Sequence, residues 1–584
     1  MLETDAEHGP TGDDDTGTAT QRLGSIAPTR DLVVIAGAVL LCIAFAPVFV
    51  SAPFSARFAI LLGFLPWGLV AIGFLAIERD RAAIAGVALI CVAVVSSLLS
   101  DHVRISLFGQ LGKEESALLV TAFVGWWAIG GRLSSNGRRL LPYALLIGLG
   151  VNAVVAILQV AVGTESSGSE FGIPEGTRAI GLTANPVQLG ALMAAGVALS
   201  STLGTAGTGR RWWLWLIPTA LFAAAANLSG TRVALIGIAV VLLGLLVIRR
   251  SFRVVAMLGA TAIGFAIAMA IDRSGGSAST SRLTHRQAGR SDVWRFGLQS
   301  FLDRPILGHG PGGFRPAVQG RFTADFIVSV GSDDRHLAWF DAHNVAIEYL
   351  VITGIVGVVL LAAFAWFALR TARGPLLAAF IAIAITWTMQ PMSVSTAPVA
   401  LLCLGAAGPV RTASRVSTRS SVMRVTQALA VGVGLLAACA YAFIDLRLDA
   451  AIRDGDAVAI ENAARPFGND AVVADLVAQG WANAYFYDGA DRSHLVKWAA
   501  EPALREPDRP YWWSKLAGTR LAFQDYEGAR DALDRAIALQ PWSPSAWPLM
   551  LSLAKKTDDA ELEALATEKV CELQLDSCPD LTDG

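Results

Sequence analysis

Apolar residues in this 584-residue chain fall in blocks of roughly 16 to 25, and that pattern constrains its fold more than any motif. Blocks of that length match the helix needed to cross the hydrocarbon core of a bilayer. A soluble protein with a large core would show amphipathic periodicity instead. Composition agrees, with 54% of residues hydrophobic and 16% charged, against about 25% charged in soluble chains. The expected fold class is therefore all-α: a polytopic transmembrane helix bundle followed by a more polar, helical C-terminal region.

Thirteen spans are expected, at 32–50, 56–77, 82–100, 116–130, 139–163, 186–203, 211–228, 232–248, 253–271, 344–369, 375–390, 394–410 and 423–444. Only Ser229-Gly230-Thr231 separates the seventh from the eighth, and fusing them would reverse the topology downstream. With the N-terminus inside, sixteen arginines fall in cytoplasmic connections. Five basic residues (Arg57, Arg104, Lys113, Arg178 and Arg232) fall in the short outside ones. That is a positive-inside bias. It requires a turn at Gly230, and it places the long 272–343 loop and everything after Asp445 outside.

Residues 1–31 are acidic and non-periodic and read as a disordered cytoplasmic tail. They lack the basic and short apolar regions of a cleavable signal peptide, so the first span is expected to be retained. The transmembrane domain then covers 32–444, and an extracytoplasmic domain 445–584. From Pro510 to Trp547 the sequence resembles a tetratricopeptide repeat, with Trp513, Leu516, Ala529, Leu533, Ala536 and Pro541 at the expected offsets. Such helical repeats are usually binding surfaces, which implies a protein partner. Cys571 and Cys578 are placed to pair if that end meets an oxidising compartment. Cys42, Cys91, Cys403 and Cys439 sit in apolar segments and read as small buried hydrophobes. The net charge of −2 gives no nucleic-acid signal, because the charges are segregated by compartment.

The polar interval from Asp272 to Asn344 carries nine arginines and no lysine. A preference for arginine points to bidentate recognition of phosphate or carboxylate. Around it stand the residues suited to chemistry. Arg178 lies at the mouth of the sixth span, before Asn185-Pro186, a good helix start; its plain alternative is an interfacial snorkelling arginine. Arg232 sits close to bilayer depth, where ionisable groups are costly and tend to be functional. Arg290 and Trp294 begin an amphipathic stretch expected to lie on the membrane, with Trp294, Leu298, Phe301 and Leu302 facing apolar surroundings.

The run Gly308-His309-Gly310-Pro311-Gly312-Gly313 suits a tight turn with close backbone approach, and no Gly-Lys-Ser/Thr follows to make it a P-loop. His343-Asn344 opens the tenth span, with Glu348 one turn further in. His343 is the candidate general base, Glu348 a group to orient it, and Asn344 either a site residue or a helix cap. His309, His336 and His343 lack the short spacing of a zinc site, so no metal and no cofactor are expected.

Together these residues resemble the O-antigen ligase/polymerase family of polysaccharide membrane enzymes. The carriers are Arg178…Gly181…Asn185-Pro186, Ser229…Arg232, Arg290-x-x-x-Trp294, Pro305-x-x-Gly308-x-Gly310-x-x-x-Phe314, and His343-Asn344 with Glu348 and Gly354-x-x-Gly357. The resemblance covers roughly 32–410. It implies a metal-independent glycosyltransferase in the cytoplasmic (inner) membrane of the cell envelope. Such an enzyme moves a glycan from an undecaprenyl-diphosphate donor to an acceptor hydroxyl on the outer face. The acceptor, whether glycan, lipid or protein, is left open, as are ligase, repeat-unit polymerase and protein O-glycosyltransferase. In that scheme Arg232 and Arg290 stabilise the leaving diphosphate, and either Arg178 or Arg232 is the second essential arginine. Asn185, Trp294, Gly308, Gly310, Asn344 and Glu348 join Arg178 as candidate substrate contacts. A transporter or flippase of lipid-linked or anionic solutes is the rival reading. It should show paired inverted repeats, and none is visible.

Overall fold

The computed structural model describes residues 28–45, 48–112, 115–161, 178–206, 209, 211–275, 289–330, 341–410 and 417–578. Residues 1–27 of the expected tail, together with Lys113, Arg210, Arg282, Arg286, Arg335, His336, Arg411 and Arg415, lie outside them. Among the described residues the regular structure is helical, without strands. A helix stands at each of the thirteen expected spans. Eight are long and apolar enough to cross a membrane, and four more are shorter apolar helices. The chain is an all-α, multi-pass membrane protein.

The turn on which the topology depends is present. Helix Leu216–Leu228 ends at Ser229, Gly230 adopts a left-handed φ of 59°, and a new helix runs Arg232–Arg249. At the centre lies Pro186–Ala206, buried along nearly its whole length. Leu216–Leu228, Arg232–Arg249 and Pro375–Thr386 pack around it. Small residues permit that approach, as they do between membrane helices generally: a Cβ at Gly196 would lie 2.6 Å from the Phe222 ring.

Arg57 corrects the sequence reading. It belongs to the helix Ala52–Ile77, not to an outside connection, and it is wholly buried. Its Nε donates to the Leu41 carbonyl at 3.1 Å and its Nη2 to the Leu182 carbonyl at 2.9 Å. A buried cation is held by hydrogen bonds that water would otherwise supply. Here those bonds tie the Arg178–Asn185 connection to the bundle.

The last apolar helix, Ser417–Asp454, continues without a break past the expected boundary at 444. Beside that boundary, Asp445 accepts hydrogen bonds from the Val50 N–H (2.8 Å) and Ser55 Oγ (2.7 Å). The C-terminal region then folds as successive helix pairs: Ala471–Asp488 with Arg492–Arg505, Pro510–Ala522 with Tyr526–Leu539, and Trp547–Thr557 with Ala560–Glu572. In the second pair Ala529, Leu533 and Ala536 are buried with Trp513 and Leu516. Cys571 and Cys578 form a disulfide.

This region is no free appendage. Phe296, Phe314, Val318 and Phe322 of the long loop join Trp512, Trp513, Leu516 and Met550 in one apolar core. Burial of about 150 Å² or more per aromatic makes that a substantial interface.

Candidate active site

The glycine-rich run of the loop docks on a broken helix. Helix Val345–Leu369 is interrupted at Gly354, with φ 64° and ψ −170°. Into the gap fits the turn Pro305–Gly310. His309 N–H donates to Val351 O and Gly310 N–H to Ile352 O, both at 2.9 Å, while Ile355 N–H donates to Pro305 O at 2.9 Å. Ser96 Oγ completes the joint by bonding Leu307 O and Ile352 O. A Cβ on Gly308 would lie 2.4 Å from Val351 O, and one on Gly354 would lie 2.2 Å from Ile306 O. Gly308 and Gly310 therefore serve a backbone joint that fixes the loop to the bundle.

That joint positions the helix Arg290–Asp303, which turns Val293, Phe296 and Gly297 inward. Leu298 and Leu302 stay exposed. Trp294 departs from the expected apolar face: half-buried, it donates Nε1–H to the Ala342 carbonyl at 2.8 Å. It thus grips the backbone one residue before His343.

His343 itself sits at φ 49°, in the left-handed region, where residues other than glycine are uncommon and often functional. Its Nδ1 lies 2.6 Å from Asp341 Oδ1, and the same oxygen accepts its backbone N–H at 2.7 Å. The group that orients His343 is therefore Asp341, not Glu348. Glu348 is buried, accepts the Ala342 N–H at 2.5 Å and hydrogen-bonds Glu115. It shapes the turn and leaves the ring to Asp341. Asn344 caps the following helix, its Oδ1 accepting from Ala346 and Ile347 N–H.

The three arginines separate by role. Arg178 donates Nε–H to Ser229 O (2.6 Å) and Nη2–H to Thr231 Oγ1 (2.8 Å), bracing the turn that launches the next helix. Arg232 is the first residue of that helix, and Arg290 the first of the loop helix. A cation at a helix N-terminus works against the helix dipole, and here two such ends come together. Arg290 loses basicity to burial; Asp341 opposes that, and the positive charge of Arg232 adds to it. Arg232, Arg290, Asp341 and His343 thus share one electrostatic neighbourhood.

A cleft of about 390 Å³ opens beside His343. Asn185, Gln188, Asp341, His343 and Gln390 line its membrane-domain side. Asn185 also caps its helix, accepting from Val187 and Gln188 N–H. The opposite wall holds His102, Gln110, Arg315 and Gln319, with Glu506, Asp508 and Arg509 from the C-terminal region. Sequence reasoning missed those last three, since nothing in 445–584 marks them as facing the loop. Among the described residues no cluster of His, Cys, Asp and Glu is arranged for a metal ion.

A family model described as O-antigen ligase matches residues 217–362. Over that stretch the chain is similar to the O-antigen ligase family. The match takes in Arg232, Arg290, Trp294, Gly308, Gly310, His343, Asn344 and Glu348, and leaves Arg178 and Asn185 outside. It is shorter than the 32–410 over which the motifs extend. A comparison with curated proteins finds no match. The matched domain supports a membrane glycosyltransferase of the ligase/polymerase type.

Proposed function

We propose that this protein transfers a glycan from undecaprenyl diphosphate to an acceptor hydroxyl at the outer face of the cytoplasmic membrane. The observation that carries the reading is the Asp341–His343 pair facing the cleft, with Arg290 and Arg232 close by. Asp341 holds Nδ1–H, so Nε2 is the nitrogen left to accept the proton of the attacking hydroxyl. A base of this kind contributes roughly 10²–10⁴-fold. As the hydroxyl oxygen bonds the anomeric carbon, the bond to the diphosphate breaks and its charge grows on the leaving oxygen. Arg232 and Arg290, with the N–H groups of their own helix ends, stabilise that charge. Attack opposite the leaving group inverts the anomeric centre. Arg178 acts through the turn that it braces, which makes Arg232 the second essential arginine.

In this reading the N-terminus is cytoplasmic and the site, the loop and the C-terminal domain are extracytoplasmic. The Cys571–Cys578 bond supports that side, since disulfides persist in oxidising compartments. The helix pairs after residue 470 are taken as tetratricopeptide-like. The deciding experiment is in-vitro transfer with a defined undecaprenyl-diphosphate glycan and a panel of acceptors. Movement of the glycan to a new acceptor is the ligase outcome, and chain lengthening is the polymerase outcome. Intact donor in every arm would sink the reading.

A further inference from the structure

We propose that the far wall of the cleft, where Arg315 and Gln319 of the loop meet Glu506, Asp508 and Arg509 of the C-terminal domain, is a saccharide-binding subsite that holds the acceptor glycan. The acceptor role rests on the transferase reading above; the saccharide class rests on the wall itself.

The wall is built and braced. Trp512 Nε1–H donates to Glu506 Oε2 at 2.9 Å, and Arg509 Nη1 bonds the same oxygen at 3.2 Å. Gln110 donates to Glu506 Oε1, and Gln319 to the Asp508 carbonyl. His102 Nε2 lies 2.7 Å from Asp508 Oδ2. Arg509 lies over the Trp512 ring, 4.3 Å from its centroid. These groups come from the connection between helices Arg81–Leu98 and Ala117–Gly131, the long loop and the C-terminal domain, and neither His102 nor Arg509 caps a helix with its side chain.

The chemistry of the wall selects the ligand. Two guanidinium groups face two carboxylates, and amides and an imidazole stand between them. A polyanion would meet Glu506 and Asp508, and a hydrocarbon would lie against a wall of charged and amide groups. A sugar hydroxyl both donates and accepts, so a polyol satisfies fixed donors and acceptors placed side by side. Arg315 is only 7% exposed. Burial, and then the charge of Arg509, pull its basicity down to about 9, while Glu506 and Asp508 oppose that. Hydroxyl oxygens in the cleft would solvate that cation. The volume, about 390 Å³, lies inside the range of about 300–1,000 Å³ typical of small-molecule sites. Asp341 and His343 bound the other side of the same cleft, which puts a bound sugar chain beside the base.

The test uses the full-length protein in nanodiscs and four probes: maltotetraose, chitotetraose, tetragalacturonate and inorganic pyrophosphate. Saturation-transfer NMR reads binding without turnover. Maltotetraose or chitotetraose should bind and tetragalacturonate should not, and Arg315→Gln and Arg509→Ala should each weaken the neutral sugar at least fivefold. Arg232→Ala and Arg290→Ala should leave that affinity within twofold while weakening pyrophosphate. Where Arg509→Ala lowers the melting temperature, Asp508→Asn, which keeps the shape, replaces it and should weaken binding at least threefold. Failure of both neutral tetrasaccharides to bind, or binding of tetragalacturonate alone, overturns the proposal. So does saccharide affinity indifferent to the wall variants, or pyrophosphate affinity that follows Arg315. Wall-dependent saccharide binding by a protein that transfers to no acceptor would count against the transferase reading and leave the saccharide subsite standing.

Discussion

One oxygen of Asp341 holds His343 twice, accepting its backbone N–H at 2.7 Å and its Nδ1–H at 2.6 Å. The two contacts fix both the left-handed backbone of His343 and the direction of its ring. Asp341→Asn should keep the turn, because an amide oxygen still accepts the backbone N–H, yet weaken the hold on the ring. Transfer should fall by roughly 10²–10⁴-fold in kcat, with little change in donor KM. His343→Ala should abolish transfer at normal membrane levels. A kcat equal to wild type in His343→Ala would remove the base assignment.

Arg232 and Arg290 place two cations at two helix N-termini. Arg232→Ala and Arg290→Ala should each lower transfer by at least about 10²-fold. Arg290→Lys should recover little, since a point charge lacks the planar fork. Arg178→Ala should act differently, through loss of its bonds to Ser229 and Thr231. Its signature is a lower melting temperature together with lower activity, and equal melting temperatures in Arg178→Ala and wild type would count against a bracing role.

The joint between the loop and the broken helix depends on Gly354. An added Cβ would meet Ile306 O at 2.2 Å, and φ is 64°. Gly354→Ala should destabilise the fold by roughly 1–3 kcal/mol, the range for residues held in such backbone regions. Thermal melting in detergent measures this, and Gly259→Ala, at a helical glycine with open space around it, is the control expected to melt like wild type.

His102 ties the connection between helices Arg81–Leu98 and Ala117–Gly131 to the C-terminal region. Its hydrogen bond to Asp508 raises its affinity for a proton above the ordinary histidine value of 6.5, with burial opposing and the charges of Asp508, Glu506 and Asp101 assisting. A raised folded-state value means that this contribution is complete below about 6.5 and fades as pH climbs through the raised value. Melting curves from about pH 6 to about pH 9 should therefore show wild type losing stability relative to His102→Gln. A constant difference across that range would show that the pair does not titrate.

The disulfide closes a short loop at the end of the chain, with a sequence separation of 7. Chain entropy for a loop of that size gives roughly 2–3 kcal/mol. Dithiothreitol should lower the C-terminal melting transition of wild type and leave Cys571→Ser/Cys578→Ser unchanged.

The sequence by itself determined the membrane class, the positions of the spans and the residues that signal chemistry. Those properties are local: block length decides what crosses a bilayer, and a glycine or arginine is visible wherever it stands. The turn at Gly230, the glycine run and His343 were legible for that reason. What the tertiary structure decided depends on which distant segments meet. The break at Gly354 makes sense only with Pro305–Gly310 lying in it. Arg57 read as a loop residue because nothing local shows the Leu41 and Leu182 carbonyls that hold it. Asp341 was overlooked beside Glu348 because one turn of helix suggested the wrong carboxylate, and only the left-handed backbone at His343 turns the ring toward its neighbour. The cleft wall at Glu506–Arg509 lies more than a hundred residues from His343 in the chain. Burial of the loop's phenylalanines against the C-terminal tryptophans brings the two together.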